Sequence, residues 1–191
     1  MAQWTEAHYA LALLAFAGIY TFVVAISVPG AVILTLLGGY LFGIVAGTLI
    51  VVLSATAGAC LLFIATKTAF KEILSKKAGP SVKKMEAGFQ ENALSYLLFL
   101  RLVPLFPFWL VNIVPALLDI PLRTFALGTS LGIIPGTFVY VLIGNGLHHL
   151  FEQNKTPNLS IIFEPNILAP LIGLSLLSVT PILYKKLKKN K

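Results

Sequence analysis

The sequence predicts an all-α polytopic membrane protein with about four transmembrane helices and two opposed re-entrant hairpins in an inverted repeat. Of its 191 residues, 58% are hydrophobic and only 11% are charged, which is unlike soluble globular domains. No charged residue occurs between Ala7 and Thr66, a run about three times as long as one helix needs to cross the hydrocarbon core. We therefore interpret residues 1–191 as a single membrane domain.

The first half of the chain contains two predicted spans separated by a broken apolar element. The spans run from about Tyr9 to Ser27 and from about Leu41 to Thr66. The thirteen residues after Gly30 are too few, and too often interrupted by glycine, to cross a bilayer alone. We predict a membrane-dipping element there. Its expected hinge residues are Pro29, Gly30, Gly38 and Gly39.

Residues 67–92 form a lysine-rich segment in which Gly79 and Pro80 separate two amphipathic pieces. Apolar residues recur at helical spacing in each piece, so we predict two short helices lying in the cytoplasmic membrane interface. A solvated linker with incidental spacing is the alternative.

The segment from Tyr96 to Leu117 sets one arginine, one asparagine and three prolines in an apolar run. These residues are Arg101, Asn112, Pro104, Pro107 and Pro115, of which Pro115 is an expected hinge. An arginine at mid-bilayer depth costs about 3 kcal/mol, and membrane proteins keep such a side chain facing protein or water. Each proline removes a backbone donor, so broken backbone at this depth must be buried or line a cavity. We predict a re-entrant hairpin that binds an anion; the alternative is a kinked spanning helix whose arginine snorkels to the headgroups.

A third span is predicted from Thr124 to Leu147, with a hinge at Pro135 and Gly136. Residues 165–191 supply a fourth span and a lysine tail. Because lysine-rich flanks lie on the cytoplasmic side, we place this tail and residues 67–92 inside. The fourth span then places residues 148–164 outside, and the third span places residues 119–123 inside. Both ends of the central segment therefore lie inside, which favours re-entry independently of its prolines.

The two halves of the chain also show a weak internal repeat. A shift of 78 residues superimposes Pro29 on Pro107 and Gly58 on Gly136. Together with the opposite orientations of the two halves, this match suggests an inverted repeat whose broken elements meet near the midplane, as in many secondary transporters.

The candidate binding residues lie in the central segment and just after it. They are Arg101, Pro104, Pro107, Asn112, Asp119 and Arg123. Arg101 offers a planar, permanently charged fork suited to phosphate, or it pairs with Asp119. Asp119 is alternatively the N-cap of the third span, and Arg123 then makes only a surface pair with it. Asn112 either binds substrate or satisfies backbone groups freed by the prolines.

Several functional classes have no support in the sequence. We expect no metal and no cofactor, because no group of Cys, Asp or Glu completes a site with the adjacent His148 and His149. No nucleophile and base pair or phosphate-loop motif points to an enzyme. The lysines gather beside apolar runs, so we expect no nucleic-acid binding. The single cysteine, Cys60, excludes an internal disulfide.

A family resemblance rests on two runs, FLRLVPLFPFWLVNIVPAL and GIIPGTFVYVLIG. They closely resemble the signature of the DedA and SNARE-associated Golgi protein superfamily, whose members carry a VTT domain. The resemblance covers roughly residues 27–146. Its most specific part is the spacing of Arg101, Pro104 and Pro107, followed downstream by Pro135 and Gly136.

This resemblance implies two re-entrant loops that face each other and a role in moving lipids between leaflets. Relatives include phospholipid scramblases and bacterial proteins linked to recycling of polyprenyl-phosphate carriers. Bacterial relatives carry acidic residues, tied to proton coupling, in the first re-entrant region, whereas residues 27–47 contain no carboxylate. We therefore predict energy-independent movement of an anionic phospholipid or polyprenyl-phosphate headgroup. A proton-coupled secondary transporter and a membrane scaffold that recruits partners are the alternatives.

The expected partners are membrane lipids with anionic headgroups, and homo-oligomerisation is left open. The expected location is the plasma (inner) membrane of a bacterium, with an endomembrane as the alternative.

Overall fold

The computed structural model describes residues 8–28, 30–69, 71–102 and 106–152. Pro29, Pro104 and the predicted fourth span with its lysine tail lie outside these ranges. Five helices make up the described part, which contains no strand, and this confirms the predicted all-α class. They are α1 (Tyr9–Ala25), α2 (Ala31–Thr68), α3 (Lys71–Leu102), α4 (Phe108–Leu117) and α5 (Leu122–Glu152).

Two of these helices are long and apolar enough to cross a membrane, namely Ala31–Thr68 and Leu122–Leu147 within α5. Shorter apolar helices accompany them at Tyr9–Ala25, Asn92–Leu102 and Phe108–Leu117. Large apolar side chains also cover the outer surface: Leu14, Ile33 and Val45 are 72%, 71% and 74% exposed. A soluble monomer rarely exposes so much apolar surface, whereas a bilayer accepts it.

Helix α2 consists of two arms, residues 31–42 and 44–68, joined by a break at Gly43. The backbone there has φ 74° and ψ −173°, a conformation that only glycine adopts readily. The predicted interruption thus exists, but it lies at Gly43 and not at Gly38 and Gly39. Those two glycines lie in regular helix and allow close packing, since a Cβ on Gly39 would overlap the Val141 carbonyl oxygen.

Gly30 does occupy a turn, as expected. It has φ 138° and forms the N-cap position of α2, where a side chain would be strained. Its carbonyl accepts hydrogen bonds from the backbone of Ile33 at 2.9 Å and Leu34 at 3.4 Å.

Helix α3 continues through Gly79 and Pro80, so the prediction of two separate amphipathic helices is wrong. The helix breaks instead at Asn92, with φ −159° and ψ 94°. Asn92 Oδ1 accepts the Ser95 backbone N–H at 3.0 Å, which is the hydrogen bond expected of an N-cap. The break therefore divides a lysine-rich arm from a short apolar arm, Asn92–Leu102.

The second arm of α2 and the long helix α5 lie side by side and antiparallel. At one end, Lys67 Nζ lies 3.3 Å from Asp119 Oδ1, just before α5 begins. At the other end, a Cβ on Gly43 would lie 3.8 Å from Asn145 Oδ1. Between these ends, the rings of Phe63 and Phe125 pack with centroids 4.6 Å apart.

The two short arms pack on opposite halves of α5 through glycines. A Cβ on Gly144 would overlap the Leu36 carbonyl oxygen, so the first arm of α2 lies directly against the C-terminal half of α5. A Cβ on Gly128 would lie 2.7 Å from Leu97, which places the apolar arm of α3 against the N-terminal half. Helix α5 continues through Pro135 and Gly136, where the sequence predicted a hinge, without a break in the helix.

Candidate functional site

The site is built around Arg101, in the last turn of α3. Its Nη2 donates to Asn112 Oδ1 on α4 at 2.6 Å and to Thr129 Oγ1 on α5 at 3.0 Å. One side chain therefore connects three helices. We refer to Arg101, Asn112 and Thr129 as the arginine cluster.

Packing around the stem and head of Arg101 fixes its direction. A Cβ on Gly132 would lie 2.6 Å from Arg101 Cβ and 3.0 Å from its Cγ, so only glycine leaves room for the stem. The guanidinium carbon lies 5.7 Å from the ring centroids of both Phe108 and Phe125. Each ring face attracts a cation at this range, typically by about 0.5–2 kcal/mol.

Asn112 reaches Arg101 because α4 begins immediately after a proline. Pro107 is the N-cap residue, with φ −57° and ψ 135°, and its carbonyl accepts the Leu110 N–H at 2.9 Å. A proline suits this position because it needs no backbone donor. Asn112 is fully buried in the first half of α4, and Pro115 is buried further along the same helix.

Two donors of the arginine cluster have no acceptor among the residues that the structure describes. Arg101 Nε and Asn112 Nδ2 are both buried, and neither makes a hydrogen bond within the described structure. Leaving a buried donor unsatisfied costs about 1–3 kcal/mol, and more for a charged group. Native proteins rarely tolerate this without an unseen ligand or a functional reason.

The charge of Arg101 also lacks a counterion among the described residues. Its contacts are an amide, a hydroxyl and two aromatic rings. Arg101 as a whole residue is half-buried, while its Nε is fully buried. A permanent cation held by neutral groups is suited to attract an anion.

Asp119 occupies neither of its two expected roles. It is exposed, has φ 56°, and pairs with Lys67 at 3.3 Å rather than with Arg101. It is not the N-cap of α5 either, because that helix begins at Leu122 and the Pro121 carbonyl accepts the Phe125 N–H at 3.0 Å. Asp119 instead follows the C-cap residue of α4, Leu118. A left-handed residue commonly ends a helix at this position, and Asp tolerates that conformation.

The remaining predicted residues lie apart from the arginine cluster. Arg123 is exposed in the first turn of α5, and Pro107 contributes through the backbone start of α4. Conversely, the sequence interpretation missed Thr129, Phe125 and Gly132. A buried threonine three residues before a glycine, on an otherwise apolar helix, could have indicated a face that receives a large polar side chain.

Comparison with known proteins identifies the family. The profile described as the VTT domain matches residues 28–146. The chain is 34% identical over its whole length to the transmembrane protein 41 homolog of Dictyostelium discoideum, covering 56% of that protein. It is 30% identical to the transmembrane protein 41 homolog of Caenorhabditis elegans, covering 76% of it. It is also 28% identical to transmembrane protein 41B of Mus musculus, covering 65%.

No solved structure matches the chain significantly. The chain spans a little over half of its Dictyostelium relative, so similarity concerns a membrane core shared with longer proteins. The matched profile covers α2 to α5 as far as Gly146 and includes the whole arginine cluster. The chain therefore belongs to the VTT-domain family of membrane proteins, within the DedA and SNARE-associated Golgi protein superfamily.

Proposed function

We propose that this protein moves lipids between the two leaflets of its membrane, with Arg101 attracting the anionic headgroup, and that it does so without catalysing a reaction. The observation that carries the proposal is the arginine cluster. It holds a permanent charge among neutral groups in an apolar protein, with two buried donors that have no acceptor in the described ranges. A headgroup phosphate would supply both the missing charge and the missing acceptors.

The proposal includes a re-entrant hairpin formed by the apolar arm of α3 and by α4. The Lys67–Asp119 pair brings the end of α2 next to the start of α5, which supports placing both on one membrane face. The chain between them would then leave and return on that face. Helix α4 has 10 residues, or about 15 Å of rise, against a hydrocarbon core of about 30 Å.

A second hairpin, formed by α1 and the first arm of α2, would complete an inverted repeat. Helix α1 has 17 residues, or about 26 Å of rise against a hydrocarbon core of about 30 Å. In this arrangement it would be one limb of the hairpin instead of the span predicted from the sequence. The shift of 78 residues carries Gly30 onto Phe108, where α4 begins, and Gly43 onto Pro121, just before α5. Each half thus consists of a short helix, a connection, a second short helix, a break and a long helix. This order supports an opposed pair of broken elements that meet inside the membrane.

The location and partners belong to the same proposal. Membrane lipids with anionic headgroups are the proposed partners, and a homo-oligomer is compatible with the exposed apolar surface. The plasma membrane of a bacterium remains our sequence-based placement. The matched relatives come from eukaryotes, which supports an endomembrane as the alternative.

Reconstitution tests the function directly. In liposomes with labelled phospholipid, the purified protein should equilibrate lipid between leaflets with no pH gradient imposed, because residues 27–47 carry no carboxylate to couple protons. Protein-free liposomes provide the control. Movement only under an imposed gradient would favour the proton-coupled transporter, and no movement under either condition would favour the scaffold.

Side-specific labelling tests the topology. In a Cys60→Ala background, single cysteines replacing Lys76, Asp119 and Lys189 should react from the cytoplasmic side, and one replacing Asn158 from the opposite side. Asn158 and Lys189 lie outside the described residues, so their placement rests on charge bias alone. Reaction of the Lys76 and Asp119 positions from opposite faces would contradict the re-entrant hairpin.

A further inference from the structure

Asn112 differs from an ordinary structural asparagine in how its two amide atoms are used. Its Oδ1 accepts Arg101 Nη2 at 2.6 Å, so the amide orientation is set by the arginine. Its Nδ2, on the other arm of the amide, is then a buried donor with no described acceptor. The residue is 0% exposed, which makes this unsatisfied donor costly unless a ligand receives it.

The unsatisfied atoms have one chemical character. Arg101 Nε and Asn112 Nδ2 are both donors. The acceptor oxygen of the amide, Asn112 Oδ1, is already bonded to Arg101 Nη2. A ligand that satisfies both must therefore present acceptor oxygens, either one shared by the two donors or one for each. A tetrahedral phosphate diester does so with its two non-bridging oxygens, and its single negative charge neutralises the guanidinium.

The surroundings of Arg101 and Asn112 also affect which headgroup charges the site can accept. The described contacts of Arg101 include no carboxylate, and Asp119 is engaged with Lys67 in an exposed pair. A headgroup that carries its own ammonium would bring a second cation close to Arg101 with no described anion to receive it. Like charges brought together cost free energy and so discriminate between ligands.

We propose that Arg101 and Asn112 together form a phosphate-binding pair, with Asn112 Nδ2 as a ligand-binding donor, and that the pair selects net-anionic over zwitterionic headgroups. This inference rests on the proposed function for its biological meaning, but it makes a binding claim of its own. The shared chemistry is a phosphate, whether free in solution or part of a lipid.

The test is the thermal stability of the purified protein in detergent with three probes: dioctanoyl phosphatidylglycerol, dioctanoyl phosphatidylcholine and inorganic phosphate. A ligand that binds only the folded state raises the melting temperature with its concentration. We expect phosphatidylglycerol to bind about tenfold or more tightly than phosphatidylcholine. Equal shifts with both lipids would overturn the selectivity, and a shift with inorganic phosphate equal to that with phosphatidylglycerol would assign the pair to free phosphate.

Asn112→Asp keeps an acceptor for Arg101 Nη2 but removes the donor and neutralises the guanidinium, so we expect it to lose at least about tenfold in phosphatidylglycerol affinity. Because the added charge alone weakens anion binding, two neutral variants separate a binding role from a supporting one. Asn112→Leu and Thr129→Val each remove one hydrogen bond to Arg101 Nη2, but only Asn112→Leu also removes Nδ2. We expect Asn112→Leu to lose more affinity than Thr129→Val, and equal losses would assign Asn112 to positioning alone. Wild-type affinity in a folded Asn112→Asp protein would overturn the role of Asn112.

The outcomes distinguish this inference from the proposed function. Stabilisation by phosphatidylglycerol without lipid movement in liposomes would retain the binding pair and reject transport. Lipid movement with no preference between the two headgroups, and unaffected by Asn112→Asp, would retain transport and reject the pair. If Asn112→Asp fails to fold, the comparison of the two lipids on the unaltered protein still decides the selectivity.

Discussion

Replacement of Arg101 by alanine is expected to abolish most lipid movement while leaving the protein folded. The side chain supplies the cation of the arginine cluster and one of the two buried donors that find no acceptor in the described part of the chain. A hydrogen bond to a charged group is worth about 1.5–3 kcal/mol, which corresponds to a roughly ten- to hundredfold loss when it is removed. The measurement is the initial rate of lipid equilibration in liposomes.

Stability is expected to change much less than lipid movement. Because Arg101 has no counterion among the described residues, its removal strands no opposite charge and relieves a desolvated one. It also leaves Asn112 Oδ1 and Thr129 Oγ1 without their hydrogen bonds to Nη2, which offsets that relief. We expect the protein to remain folded, with a melting temperature in detergent within a few degrees of the parent. A stable Arg101→Ala protein with wild-type lipid movement would eliminate the headgroup role.

Two further variants sharpen this experiment. Arg101→Lys should retain only part of the activity, because lysine keeps the charge but loses the planar fork that reaches Asn112 and Thr129. Arg123→Ala removes the same charge from an exposed position outside the arginine cluster and should move lipid at close to the wild-type rate. Equal loss in both alanine variants would indicate a general effect of charge instead of a site.

The sequence was sufficient to locate the break between α3 and α4, and the arginine beside it, because each has a local physical cause. A charged residue and several prolines in an apolar run cannot form an ordinary span. The structure accordingly ends α3 just after Arg101 and begins α4 just after Pro107. The all-helical class followed from the length of uncharged sequence alone.

The errors arose where tertiary packing decides between residues of the same type. Gly38, Gly39 and Gly43 are equally able to break a helix. Gly39 stays in regular helix, where the close approach of the Val141 backbone requires a glycine. Asp119 had Arg101 as a plausible partner in sequence, but the antiparallel arrangement of α2 and α5 brings Lys67 closer. Thr129 carries no signal of its own until α5 is placed beside Arg101.

The second large effect is expected at Gly144. This residue lies where the first arm of α2 crosses α5, and an added Cβ would overlap the Leu36 carbonyl oxygen. The obstacle is backbone, so no side-chain rotation relieves it, and the two helices must separate. Overpacking of a tight contact typically costs about 1–3 kcal/mol. We expect Gly144→Ala to lower the melting temperature in detergent by several degrees and to reduce the yield of monodisperse protein.

Helix α5 provides matched controls for this substitution. Cβ atoms added to Gly136 and Gly146 would meet nothing within 4 Å, and alanine is favoured over glycine in a helix by about 1 kcal/mol. Gly136→Ala and Gly146→Ala should therefore be as stable as the parent protein or slightly more stable. If Gly144→Ala were as stable as these two controls, the close crossing of α5 with the first arm of α2 would be wrong, and with it the support that this packing gives to opposed broken elements.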